Sequence, residues 1–176
     1  MRLQIFSAAL AGILVLAGAA EAASVNIVAL GASNTYGSGR GRFGGGVSPS
    51  QAWPAQLEAM LRARGIDAHV SNAGVAGDTT GGMLARLDSA VPPGTRLVIL
   101  QPGGNDARRG QESARAGNIA EIKRRLAASH VRVLMIGKIG QIAPPGTRDP
   151  DGMHFNARGH AAIARSLVPR VIAALK

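Results

Sequence analysis

The chain has 176 residues, 46% hydrophobic but only 3% aromatic, which allows one domain with a core built from Ala, Val, Leu and Ile. It contains no cysteine, so a disulfide framework, a thiol nucleophile and a cysteine-based metal site are all excluded. The formal net charge of +10 favours anionic surfaces, lipid headgroups among them, but only weakly, because the arginines are spread in ones and twos. Without a basic block or interleaved aromatics, no nucleic-acid partner is expected.

The first segment reads as an export leader. Arg2 precedes an apolar stretch over residues 5–20, and Ala20-Glu21-Ala22 fits the small-x-small cleavage rule. A membrane span needs about 20 apolar residues, and this stretch falls short. The expected organisation is a signal peptide at 1–22, cleaved near Ala22, and a single domain at 23–176. The mature protein is then periplasmic or secreted.

Residues 25–30 form an apolar, β-branched run that reads as a buried strand, broken by Gly31. Ser33 stands two residues past that strand end, where ligands bind in α/β sheets. A Gly-x-Ser after a strand is weak evidence alone, since such loops are common. A glycine-rich loop follows at 37–47; it matches neither the P-loop nor the dinucleotide fingerprint and reads as a flap beside the site. Ser50 starts a helix that puts Trp53, Leu57, Met60 and Leu61 on one face and stops at Gly65, with Pro54 in its first turn.

A short second strand is expected over 68–71, running into a small-residue loop at 72–80. One helix carries Met83, Leu84, Leu87 and Val91 inward until Pro92-Pro93-Gly94 ends it. Residues 96–100 form a third strand buried on both faces. Residues 112–129 form a helix through Ile119, Ile122 and Leu126, and 131–136 a fourth strand. After a loop over 137–151, Asn156 caps a last helix burying Ile163, Leu167, Val171 and Ile172, with Pro169 expected to kink it. Strands alternating with helices imply a parallel sheet wound by right-handed crossovers.

Three strands therefore end in Gly/Asn/Ser turns that meet at one sheet edge: Gly31-Ala32-Ser33, residues 72–77, and Gly103-Gly104-Asn105. A fourth stretch, Asp151-Gly152-Met153-His154, sets a carboxylate three residues before an imidazole, close enough to accept its ring N–H and fix the tautomer. The parts are a nucleophile, a base and an orienting carboxylate. The Ser33 N–H, the Gly77 N–H and the Asn105 amide complete an oxyanion hole. The plainer readings are a turn serine, an N-terminal helix cap for Asp151 and His154, and turn residues for Gly77 and Asn105. Asp78 and Asp106 read as caps or loop ties, and His160 as a surface or supporting residue. Arg108 and Arg109 suit an anionic substrate, or are ordinary solvated arginines.

These blocks resemble the SGNH (GDSL) hydrolase superfamily, especially its small exported thioesterase, arylesterase and lysophospholipase type. The likeness rests on Gly31-Ala32-Ser33-Asn34, residues 72–77, Gly103-Gly104-Asn105-Asp106, residues 151–154 and Trp53-Pro54-Ala55-Gln56-Leu57. It implies a three-layer α/β/α sandwich with a flavodoxin-like parallel sheet. By residue-wise carry-over, Ser33 is the nucleophile, His154 the base, Asp151 its partner, and Gly77 and Asn105 the oxyanion donors. It implies hydrolysis of small acyl esters or thioesters, with no metal or organic cofactor. Deacetylation of a polysaccharide on the same site and a non-catalytic binding module on a decayed hydrolase scaffold are the alternatives.

Two departures carry expectations. The family's first block is usually Gly-Asp-Ser-Leu, so Ala32 is expected to loosen the Ser33 turn without abolishing catalysis. Only 14 residues separate Ile136 from Asp151, too few for a helical crossover and a strand, so four strands are expected instead of five, with a short loop holding residues 151–154.

Overall fold

The computed structural model describes residues 24–37 and 46–176; the expected leader at 1–22 and most of the glycine-rich loop lie outside the described residues. Four strands, β1 (Val25–Gly31), β2 (Ala68–Gly74), β3 (Thr95–Gln101) and β4 (Arg132–Met135), form one sheet in the order β2-β1-β3-β4. Every pairing is parallel. This is a doubly wound order whose switch point lies between β1 and β3, the crevice where such sheets bind ligands.

The two-residue period of a strand divides the core. Ile27 and Ala29 of β1 and Leu97 and Ile99 of β3 face one side, while Val28, Leu30, Val98 and Leu100 face the other. The first side is covered by α2 (Trp53–Arg62) and α7 (Ala157–Leu175), through Trp53, Leu57, Leu61, Ile163 and Leu167. The second is covered by α3 (Thr80–Ala85), α4 (Leu87–Ala90) and α6 (Glu112–Ala128), through Met83, Leu87, Ile122 and Leu126. The result is the expected three-layer sandwich with four strands.

Local chemistry moved several boundaries. β2 runs to Gly74, three residues past its expected end, because the backbone of 72–74 continues the ladder against Ala29, Leu30 and Gly31. α2 starts at Trp53, after a 3-10 turn over Pro49–Gln51 closed by a Ser48/Gln51 capping box. The single helix expected around Met83–Val91 is two, broken at Arg86, whose side chain turns inward to bond the strand ends. Two short helices were not foreseen: α1 (Ser33–Tyr36) and α5 (Asn105–Arg108). α7 is capped by Asn156, which accepts from the Gly159 N–H, and stays helical through Pro169.

The short segment before Asp151 solves its task as a hairpin. Arg148 and Phe155 pair antiparallel. The Asn156 N–H donates to the Thr147 carbonyl and the Asp149 N–H to the His154 carbonyl, at 3.0 and 2.9 Å. Phe155 is buried at the base and the Arg148 guanidinium lies over its ring. Residues 151–154 therefore sit at the tip of a bonded hairpin, which is the form the short loop expected there takes.

Candidate active site

Ser33 opens α1 directly beyond β1. The first N–H groups of a helix have no intrahelical partner, which leaves the Ser33 amide available at this end of the sheet. Gly74 is needed here because a Cβ would overlap the Tyr36 backbone, so α1 lies flush on the end of β2. The turn before Ser33 is held by Gln101, the last residue of β3. Its buried Oε1 accepts from the Ala32 N–H at 3.4 Å and the Thr35 hydroxyl at 3.1 Å. Ala32 itself is buried beside Gly103. The support that the family's usual aspartate suggests at position 32 comes instead from the neighbouring strand.

Asp151 and His154 face each other across one turn of chain. Asp151 Oδ1 accepts the N–H groups of Met153 and His154, both at 2.9 Å, while Oδ2 meets His154 Nδ1 at 2.5 Å. The Asp151 side chain is 5% exposed. Burial works against its charge, but the bonds from the His154 N–H, the His154 ring and the Met153 N–H outweigh it and hold the carboxyl down to about 2. A carboxylate with Nδ1 fixes the ring so that Nε2 is left for other chemistry.

Ser33 and His154 line the same cavity, of about 480 Å³, together with Gln101 and Gly103. The Ser33 hydroxyl is not hydrogen bonded to the imidazole in this state, and the tie between the two segments is the Asn34 amide donating to the Met153 carbonyl at 3.3 Å. Gly77 and Asn105 are not among the residues lining the cavity. Gly77 takes a left-handed φ of 78° in the turn that the Asp78 N–H closes onto the Val75 carbonyl. Asn105 is buried; it donates one amide N–H to the Asp78 carbonyl at 2.7 Å and accepts from Arg108 at 2.8 Å. An amide carries two donors, so this leaves one of them.

Two side chains without an assigned role in the sequence tie these turns together. Arg86 pairs with Asp78 at 2.8 Å and donates to the carbonyls of Gly31 and Ala73. Gln101 joins β3 to the Ser33 turn. Neither lies in a recognisable motif, and their only signal was polarity inside an otherwise apolar setting. Asp106 is a tie, as expected: fully buried, it accepts the Thr80 N–H at 3.1 Å and the Thr80 hydroxyl at 2.5 Å and lies 3.8 Å from Arg115. Among the described residues no group of three His, Cys, Asp or Glu side chains converges as a metal site requires.

His160 is not at the surface. It is 1% exposed, and its Nδ1 accepts the Trp53 N–H at 3.2 Å, satisfying an orphan donor at the start of α2. Burial, and secondarily the charge of His154, push its pKa down from 6.5 to about 4. The unfolded chain therefore takes up this proton first, so the contribution is complete above pH 6.5 and declines as pH falls toward 4. That amounts to a loss on the order of 3 kcal/mol at most. Urea unfolding across this window is expected to show the decline in the wild type and a flatter profile in His160→Gln; equal slopes would exclude His160 as its source.

A parallel α/β/α domain with a serine beyond β1 and an Asp–His pair beyond β4 defines the hydrolase class to which the comparisons point. Residues 29–150 match the GDSL-like lipase/acylhydrolase family, and the chain belongs to it. It is 34% identical to the esterase TesA of Pseudomonas aeruginosa over 121 residues, 68% of this chain and 58% of that protein. It is 41% identical to an arylesterase of Vibrio mimicus over 61 residues, 34% of this chain and 30% of that protein. The matches thus span less than two thirds of either relative. A crystal structure of TesA superposes with a TM-score of 0.71 at 22% identity, covering 86% of this chain and 99% of that one, a likeness of fold. The family match ends just before Asp151.

Proposed function

We propose that this chain is a serine ester hydrolase acting on small carboxylic esters or thioesters, lysophospholipids included, through Ser33, His154 and Asp151. The observation that carries the reading is the opening of Ser33 and His154 onto one cavity, with Asp151 locked to the far side of the imidazole. The family membership and the named esterase relatives support it. The leader-like residues 1–22 extend the reading to an exported enzyme.

In this mechanism the Ser33 hydroxyl attacks the substrate carbonyl and passes its proton to His154 Nε2. Asp151 stabilises the imidazolium that forms and stays ionised throughout. The oxyanion takes the Ser33 N–H, with the Gly77 N–H and the remaining Asn105 amide N–H as further donors, each worth about 3 kcal/mol in the transition state. His154 returns the proton to the leaving alcohol or thiol, and water attacks the acyl-serine by the reverse path. Ser33 and His154 line one cavity without a hydrogen bond between them, and catalytic pairs of this kind tighten when the Michaelis complex forms.

The test is covalent labelling by a fluorophosphonate, which reacts with an activated serine. The wild type is expected to label at Ser33, and His154→Ala to label at least about a hundredfold more slowly. A folded wild type that does not label would overturn the enzyme reading and leave a binding module on a hydrolase scaffold.

A further inference from the structure

The mechanism leaves unexplained the charge of the cavity wall. Four of its fifteen lining residues, Arg108, Arg115, Lys138 and Arg148, are cationic, and none of the fifteen is Asp or Glu. Lys and Arg are 20 of the 176 residues of the whole chain, so four in fifteen is more than twice their share. The partners of these cations are mostly neutral oxygens. Arg108 donates to the Asn105 amide oxygen and Arg148 to the carbonyls of Gly152 and Met153. Arg115 donates to the Gly103 carbonyl and reaches only Asp106, at 3.8 Å, a carboxylate already bonded by Thr80. The Lys138 side chain has no hydrogen bond or ion pair among the described residues. A concave wall of one sign concentrates ions of the other.

Position sharpens this. Ser33 stands over β1, Arg108 and Arg115 follow β3, and Lys138 and Arg148 follow β4. The cations thus lie to one side of the serine, toward β4. We propose that the substrate is an anionic ester, carrying a carboxylate or phosphate that docks on this wall while its ester carbonyl lies at Ser33. The proposal rests on the ester hydrolase reading. It deepens that reading by naming the group that would hold the anion, the wall of Arg108, Arg115, Lys138 and Arg148.

The experiment compares 4-nitrophenyl butyrate with mono-4-nitrophenyl succinate, which carries a terminal carboxylate in place of a methyl, each rate corrected for its enzyme-free hydrolysis because the succinate carboxylate also attacks its own ester. The succinate is expected to have the higher kcat/KM by roughly five- to tenfold at low ionic strength, the scale of a partly desolvated charge contact. That ratio should shrink toward one in about 0.5 M salt, and fall about threefold in Lys138→Gln. A ratio at or below one in low salt, or one indifferent to salt, overturns the proposal while leaving ester hydrolysis intact. Binding to Ser33→Ala reads the wall without catalysis. N-phenylsuccinamate or phenyl phosphate should bind more tightly than neutral N-phenylbutyramide, and whichever anion gains more identifies the carboxylate or the phosphate. If neither gains, the wall does not select anions, whether or not the wild type is active.

Discussion

Ser33→Ala is expected to lower the kcat for 4-nitrophenyl acetate or butyrate by about 10⁴-fold or more, leaving only what the oxyanion donors and binding supply. The variant should stay folded, since the Ser33 side chain makes no hydrogen bond among the described residues and α1 is held by Thr35, Gln101 and the close approach at Gly74. Retained activity in a folded Ser33→Ala protein would end the nucleophile assignment. Circular dichroism on the same sample separates lost chemistry from lost structure.

Asp151→Asn is the more discriminating variant. Asp151 divides its work, with Oδ1 on two backbone N–H groups and Oδ2 on the imidazole. An asparagine can keep the first set through its carbonyl and thus preserve the turn. It then presents an N–H to His154 Nδ1, which selects the wrong tautomer and removes the charge that stabilises the imidazolium. The expected loss is about 10³- to 10⁴-fold in kcat with little change in KM. A loss under tenfold, with the hairpin intact by NMR, would make Asp151 a turn residue. The wild-type profile offers a second check. With its carboxyl held down to about 2, Asp151 stays ionised across the assay range, so no step in kcat above about pH 4 should disappear with it.

The departures that raised concern about the site resolve differently in three dimensions. Ala32 stands where the family usually has an aspartate and was expected to loosen the Ser33 turn, yet that turn is tied by Gln101 from β3, 69 residues away in the chain. The short segment before Asp151 lacks the chain for a crossover, yet the hairpin bonds from Thr147 to Asn156 give the Asp–His tip a base. In both cases a sequence-distant contact supplies what the local pattern lacks.

What the sequence by itself determined is whatever depends on short-range periodicity and motif. The four strands, the two-sided core, the capped last helix and the Asp151/His154 spacing all follow from side chains within a few residues of one another. The break at Arg86, the burial of His160 and the support from Gln101 were decided only by tertiary structure. Each is a polar side chain whose partner lies on another element: Gly31 and Ala73 for Arg86, Trp53 for His160, Ala32 and Thr35 for Gln101. A polar group is stable inside only when an acceptor or donor arrives from elsewhere, and no local pattern records that arrival. The cationic wall has the same origin, since its four charges come from α5, α6, the loop after β4 and the hairpin and meet only when the sheet closes.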